Sequence, residues 1–167
     1  MHSVLAPMLF SSADCYPQQR WREPEVAAPP SDLLRHADPL LARMCAAYRR
    51  HGGLVLAEEA WANGTRGAAP GIAQLARCIV ERRVVHFYGN GGSWLPLFQF
   101  NRSDMTVKPA LQSVLSELDS AYDRWEVAQW FVSPHCELAQ RMPVEVFATD
   151  PLAVAQAARL DRYVANG

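Results

Sequence analysis

Apolar residues recur at helical spacing between residues 33 and 50. Pro39 falls inside this stripe, and because proline lacks an N–H and clashes with the preceding turn, we expect two helices here rather than one. The second should begin near Asp38, whose side chain suits an N-cap, and should end at His51-Gly-Gly53. The stripe consists of Leu33, Leu34, Leu40, Leu41, Met44, Cys45 and Tyr48.

A second helical stripe lies between residues 71 and 83. A shorter helix, with a brief extended lead-in, is expected over residues 54–62, and a Gly- and Pro-containing turn over 63–70 separates the two. The stripe follows i, i+3, i+4, i+7, i+8 spacing in Ile72, Leu75, Ala76, Ile79 and Val80.

Two strand-like segments, residues 84–88 and 93–98, come next. The link between them, Gly89-Asn-Gly-Gly92, supplies residues that accept positive φ, as a tight hairpin requires. Pro96 cannot donate to a ladder, so the second strand should be at a sheet edge or end early.

The last third of the chain predicts four helices joined by a loop and short turns. Asp150-Pro151 has the cap-then-proline signature of a helix start. The four are expected at residues 109–118, 123–133, 143–148 and 150 to about 165.

These elements predict a mainly α fold with one small β-hairpin. We divide the chain into a Pro-rich, poorly ordered arm (1–31), N-terminal helices (32–53), a winged-helix-turn-helix-like unit (54–100) and a small helical bundle (101–167).

The order helix, turn, helix, hairpin in residues 54–100 is the outline of a winged helix-turn-helix. Its second helix would present Gln74, Arg77 and Arg82 to DNA. Glutamates such as Glu81 nearly cancel these arginines, and the tip at 89–92 carries no cation. Two alternatives follow: a DNA-binding unit, or a scaffold that has kept the fold without the activity.

Charge and composition narrow the partner classes. Half of the 167 residues are hydrophobic, enough for a sizeable core, and the net charge is −1. A protein that binds mainly phosphates is normally far more basic. Residues 101–167 hold six Lys or Arg against nine Asp or Glu, which suits a basic partner better than nucleic acid.

The cysteines at 15, 45, 78 and 136 show no C-x-x-C pair, which is typical of reduced thiols in a cytoplasmic protein. Pro7 interrupts the apolar start, which lacks a basic n-region, so we expect no secretory signal. No run approaches 18 apolar residues, so we expect no membrane span.

Catalytic and metal-binding patterns are absent from the sequence. His135 and Cys136 are adjacent, so their side chains diverge and cannot form a nucleophile–base pair. The glycines at 89–92 lack the Lys-Ser/Thr of a phosphate loop. We therefore expect no enzyme, no metal and no cofactor.

An ordered set of motifs runs from residue 94 to residue 151. It comprises Pro-x-Phe-Gln-Phe within Trp94-Leu-Pro-Leu-Phe-Gln-Phe100, then Pro109, Val114-Leu115, Asp123-x-Trp125, Ala128-x-Trp130-Phe131, Pro134, Leu138, Arg141-x-Pro143 and Asp150-Pro151. In this order the motifs resemble the C-terminal domain of some Xre/MbcA/ParS-type antitoxins, and the resemblance extends over roughly residues 54–165.

The resemblance implies a small helical module that binds a RES-type toxin and thereby silences an NAD-degrading enzyme. In that family an N-terminal helix-turn-helix often represses the module's own promoter. The matching positions Pro134, Leu138, Arg141 and Pro143 would belong to the partner-binding region. The terminal segment, with Arg162 and Tyr163, would lie near the toxin's pocket; ordinary fraying after the last helix is the alternative.

The chain departs from the family pattern in two places. Ala139-Gln140 stands where the family has Gly-Gly, and Glu145-Val-Phe147 replaces its Asp/Asn-Leu-Leu. Because left-handed backbone is costlier for Ala and Gln than for Gly, we expect a reshaped turn. The chain is thus interpreted as a diverged relative.

Helical spacing predicts different roles for the two tryptophans of the helix expected at residues 123–133. Trp125 shares a stripe with Ala128, Phe131 and Val132, which predicts a core position. Trp130 is out of phase with that stripe and is predicted to be a surface anchor for a partner. Arg141 either clamps carbonyls of the turn or reaches a carboxylate on a partner.

Three functions therefore stay open. The first is an antitoxin-like protein that masks a RES-type toxin or another protein and regulates its own operon. The second is a winged-helix transcription regulator, and the third is a dimeric adaptor without either activity. Exposed hydrophobic residues favour a homodimer in each case.

Overall fold

The structure is a computed structural model, of which residues 38–58 and 72–166 are described. These residues are mostly helical with a small antiparallel sheet, as the mainly α prediction required. The helices are α1 Pro39–Tyr48, α2 Ile72–Val80, α3 Leu111–Leu118, α4 Arg124–Phe131, α5 Pro143–Val146 and α6 Pro151–Asn166; the strands are β1 Leu54–Leu56, β2 Phe87–Gly89 and β3 Gly92–Pro96; short 3-10 turns are Arg49–His51, Leu97–Gln99 and Cys136–Leu138.

Several predicted segments lie outside the described residues. These are the arm at 1–31, the helix expected before Pro39 and the turn at 63–70. Of the short helix predicted for 54–62, the extended lead-in is strand β1, and helical backbone begins at Ala57.

Local capping explains where three helices begin. The Asp38 carboxylate accepts from the Leu40 amide at 3.0 Å at the start of α1. Asp123 and Glu126 form a reciprocal capping box at α4, each carboxylate accepting from the other's amide at 2.8 Å. Asp150 accepts from the Ala153 amide at 3.0 Å at the start of α6. The predicted starts near Asp38, Asp123 and Asp150 are confirmed.

The sheet has three strands in the order β1-β3-β2, one more than the predicted hairpin. Asn90 and Gly91, at φ 52° and 78°, form the two-residue hairpin turn between the paired Gly89 and Gly92. β3 ends at Pro96 as predicted. The edge alternative is wrong, because β1 pairs on the other side of β3 and makes it the central strand.

One hydrophobic cluster joins α1 to the helices of the last third. Phe98 lies at its centre, with ring centroids 5.9 Å from Tyr48, 4.9 Å from Phe131 and 5.8 Å from Phe147. The Tyr48 hydroxyl donates to the carbonyl of Ala128 at 2.6 Å, and burial raises the pKa of this tyrosine well above its usual value. The first helix and the distal module therefore share a core.

The glutamine of the Pro-x-Phe-Gln-Phe motif is fully buried and fully bonded. Its Oε1 accepts from the Val85 amide at 2.7 Å, and its Nε2 donates to the carbonyls of Val85 and Pro96 at 2.9 and 2.8 Å. The Gln99 side chain thus takes the place of a neighbouring strand for the segment before β2. It pairs the amide and carbonyl of Val85, which would otherwise be buried without hydrogen bonds.

A second, smaller cluster holds α2 against the sheet. Leu75 and Cys78 are its buried helical members, whereas Ala76 and Val80 are exposed. The predicted stripe is therefore only partly correct: the helix is rotated so that Val80, 79 % exposed, faces solvent.

Candidate partner-binding surface

The turn between α4 and α5 is held by its own backbone. The amide of His135 donates to the carbonyl of Arg141 at 3.1 Å, and the amide of Gln140 donates back to His135 at 2.9 Å. The Arg141 amide bonds to the Leu138 carbonyl at 3.1 Å. The turn is therefore a closed loop of fixed shape, with residues 133–142 as its span.

Ala139 and Gln140 both adopt left-handed backbone, at φ 55° and 62°. This is the backbone region that glycine adopts without penalty, and a reshaped turn stays a prediction. Left-handed backbone brings Cβ close to the following carbonyl oxygen, a strain of roughly 1–2 kcal/mol for each non-glycine residue. The rest of the turn and the core beneath it must hold this strained pair in place.

A buried polar cluster ties this turn to α4 and α6. The Trp130 indole donates to Asp161 Oδ2 at 2.6 Å, and His135 Nε2 lies 3.0 Å from the same oxygen. His135 Nδ1 accepts from the Glu137 amide at 3.2 Å, so Nε2 carries the proton that is donated to the carboxylate. One carboxylate thus links α4, the turn and α6.

Trp130 is therefore not a surface anchor, and that prediction is wrong. Its side chain is 8 % exposed and packs edge-on to Phe131 and His135. Spacing on α4 alone placed Trp130 outside the apolar stripe. α6 covers that side of α4, and Asp161 supplies the partner that a buried indole N–H needs.

The remaining residues of the turn divide into buried and exposed groups. Leu138 and Pro143 are buried, so they support the surface and do not form it, whereas Pro134 and Arg141 are exposed. The Arg141 guanidinium makes no hydrogen bond or ion pair within the described residues. The clamp interpretation of Arg141 is therefore wrong, and contact with a partner stays a prediction.

Arg162 is already engaged within the chain. Glu117 of α3 is buried; Arg159 Nε lies 3.1 Å from its Oε1 and Arg162 Nη1 lies 2.9 Å from its Oε2. The second contact is at ion-pair distance without hydrogen-bond alignment. Tyr163 is 63 % exposed, and the Arg162 guanidinium lies 5.2 Å from its ring. Helix α6 continues to Asn166, so both residues are helical rather than part of a frayed end.

Helix α6 turns its small residues inward and its large ones outward. Val154, Ala157, Ala158 and Asp161 are buried at i, i+3, i+4, i+7 spacing. The opposite side, which we call the α6 outer face, consists of Leu152 (68 % exposed), Leu160 (47 %), Tyr163 (63 %) and Val164 (55 %). The sequence analysis named only Tyr163 among these four residues, although their spacing at i, i+8, i+11 and i+12 places all four on one side of a helix.

The structure separates the predicted DNA-contacting residues. Gln74 and Arg77 are exposed one turn apart on α2, but Arg77 Nε lies 2.6 Å from Glu81 Oε1, and this pair lowers the pKa of Glu81. Arg82 lies beyond the end of α2, with its Nη1 3.5 Å from the Asp119 carbonyl. The predicted DNA-contacting side of α2 thus holds Gln74 and one arginine paired with Glu81, within the described residues.

The cysteine prediction is only partly correct. Cys45 and Cys78 are free thiols, and burial raises the pKa of Cys45. Cys136 is disulfide-bonded, so the expectation of four reduced thiols is wrong at that position. Cys15 lies outside the described residues.

Within residues 38–58 and 72–166, no three His, Cys, Asp or Glu side chains come together as a metal site would require. Among the helices in the same ranges, none has the length and apolarity needed to cross a lipid bilayer. Comparisons of the chain with models of protein families, with curated proteins and with solved structures found no match.

Proposed function

We propose that the protein is an antitoxin-like binding protein that docks on a RES-type toxin and masks it through the distal helical module. The observation that carries this proposal is the α6 outer face, with four large apolar side chains exposed on one helix. Leu160, Tyr163 and Val164 lie at i, i+3, i+4 spacing and form one exposed apolar group, and such a group rimmed by polar residues is typical of a protein-interaction site. The motif resemblance supplies the class of partner.

The support beneath this face also suits docking. Asp161, bonded to Trp130 and His135, holds the inner side of α6, and Glu117 holds Arg159 and Arg162 beside the outer side. A helix fixed in this way loses little conformational freedom on binding, which favours affinity. Exposed Tyr163 adds aromatic area of the kind that dominates binding energies.

Co-expression with a RES-domain protein tests the proposal. We expect the two proteins to co-purify and NAD consumption by the toxin to fall when this protein is added. Leu160→Ser together with Tyr163→Ser should abolish co-purification at micromolar concentration. Val80→Ser is the matched control, since Val80 is exposed on α2, outside the α6 outer face.

Two results would count against this proposal. Full protection of NAD by the double variant would show that the contact lies away from α6, while masking itself would stand. No binding by the unaltered protein would exclude the function. In the second case a stable homodimer that loses its pairing in the double variant would favour the adaptor.

A second candidate is a winged-helix DNA-binding regulator, which autoregulation of the operon would also use. The supporting observation is the placement of α2 between β1 and the β2–β3 hairpin of a sheet ordered β1-β3-β2, with the hairpin as a wing and Tyr88 71 % exposed on it. A salt-dependent mobility shift with the upstream DNA is expected. If Arg77→Ala plus Arg82→Ala leaves both affinity and salt slope unchanged, DNA contact through these arginines is excluded, and no shift with the unaltered protein would exclude the function.

A further inference from the structure

A cleft of about 500 Å³ lies between the segment before β2 and the turn from α3 to α4. Two arginines line it: Arg82 belongs to the segment before β2, and Arg124 is the first residue of α4. Neither guanidinium forms an ion pair within the described residues. Guanidinium groups without carboxylate partners in a concave site are suited to bind an anion in a bidentate way.

His86 lies in the same cleft and is only 7 % exposed. Its Nδ1 lies 3.1 Å from Arg124 Nη1 and 3.5 Å from the Val84 carbonyl oxygen. The guanidinium can only donate, and this shorter contact makes Nδ1 its acceptor, with the ring proton on Nε2. Burial, and then the positive charges of Arg124 and Arg82, lower the pKa of His86, which keeps the ring neutral. Nε2 makes no hydrogen bond within the described residues and keeps surface that solvent can reach, so the ring presents an open polar edge to a ligand.

The backbone at Arg82 is strained in a way that a glycine would relieve. Arg82 has φ 55°, and the amide of Arg83 donates to the Cys78 carbonyl at 2.8 Å while the Arg82 amide donates to Ile79 at 3.3 Å. This is the Schellman end of α2, in which glycine is the usual left-handed residue. The guanidinium carried by this position reaches the cleft, lying near Asp119.

Acidic groups also line the cleft, and they limit what it can bind. The Asp123 carboxylate caps α4. Burial raises the pKa of Asp119, and the positive charges of Arg82 and Arg124 act against that rise. Two arginines and one imidazole donor therefore share the cleft with two carboxyl groups. The walls are apolar, formed by Val84, Val85, Leu115 and Val127.

We propose that this cleft binds a small organic anion through its carboxylate or phosphate group, held by the guanidinium groups of Arg82 and Arg124 and by the Nε2–H of His86. The apolar walls contact the organic part of the ligand. The site is separate from the α6 outer face and does not depend on toxin binding.

Titration of the full-length protein with succinate and with inorganic phosphate, at constant ionic strength, tests this inference. We expect saturable shifts in the amide resonances of residues 82–86 and 119–124 with at least one probe, and the probe that binds distinguishes carboxylate from phosphate. Absence of a saturable shift with either probe in the tens of millimolar would overturn the proposal.

Arg82→Gly separates binding from folding. It should weaken probe binding by roughly tenfold or more, as expected for loss of a charged hydrogen bond, while the thermal midpoint rises because the left-handed strain is removed. Arg124→Lys keeps the positive charge but loses the planar guanidinium with its paired donors, and should weaken binding several-fold.

Arg102→Ala is the control. It removes an exposed arginine outside the cleft and should leave the affinity unchanged. Equal weakening in Arg102→Ala would show nonspecific ion binding and exclude the site.

Discussion

Helices α2 and α6 differ in what they turn toward solvent. α2 buries Leu75 and Cys78 in a small cluster. It exposes Gln74 and Arg77, and Arg77 forms an ion pair with Glu81. α6 buries alanines, a valine and one bonded aspartate in the main core, and its large apolar side chains remain exposed. Since exposed polar side chains are well solvated and exposed leucines are not, α6 has the stronger physical reason to bind another protein.

The largest expected effect comes from the inner side of α6. Asp161→Ala leaves the indole N–H of Trp130 and the imidazole N–H of His135 buried without their acceptor. Each unsatisfied group costs about 1–3 kcal/mol, so we expect the free energy of unfolding to fall by about 3 kcal/mol. Chemical denaturation measures this loss, with exposed Gln156→Ala on the same helix as the control. A loss equal to that of the control would mean that the cluster does not anchor α6.

A smaller loss is expected in the α2 region. Leu75 is 7 % exposed in a cluster of five buried residues. Leu75→Ala should destabilise the protein by about 2 kcal/mol, at the low end for buried leucine, because the site can partly collapse. Hydrogen exchange should rise in α2 while α6 stays protected; equal loss of protection in both helices would show that the two regions unfold together.

A gain in stability is expected at the turn that supports α6. Gln140→Gly removes left-handed strain and should raise the free energy of unfolding by about 1 kcal/mol. Gln140→Ala is the matched control, since it shortens the side chain and keeps the strain. If alanine stabilises as much as glycine, the strain is not stored at Gln140.

The smallest effect on stability should come from the α6 outer face. Leu160→Ser removes a half-exposed side chain that packs on little of the core, so the free energy of unfolding should change by no more than about 0.5 kcal/mol. Light scattering should nevertheless show weaker self-association or weaker partner binding. A large loss of stability would mean that Leu160 is packed against the rest of the chain, and the contrast with α2 would disappear.

Predictions that rest on neighbouring residues were confirmed. The starts of α1, α4 and α6 follow from aspartates that cap the next few amides, and the β2–β3 turn follows from Asn90-Gly91. Each depends on the conformation of about four consecutive residues, which local sequence specifies.

Predictions that needed distant partners were wrong or incomplete. On a helical wheel Trp130 falls outside the apolar stripe of α4. Its side chain is nevertheless buried, and its indole N–H donates to Asp161, 31 residues later in the chain. Val80 continues an apolar stripe but is exposed, and Pro96 lies on a central strand because β1 pairs with β3. The anion cleft could not be predicted either, since Arg82 and Arg124 are 42 positions apart.

By itself, the sequence determined where most helices begin, where the hairpin turns, and that the chain is mainly helical. Tertiary structure alone decided which side of each helix is buried, so it decided that α6 exposes leucine and tyrosine while Trp130 is enclosed. The physical reason is range: caps and turns are satisfied within a few residues, whereas burial depends on which remote segment covers a surface.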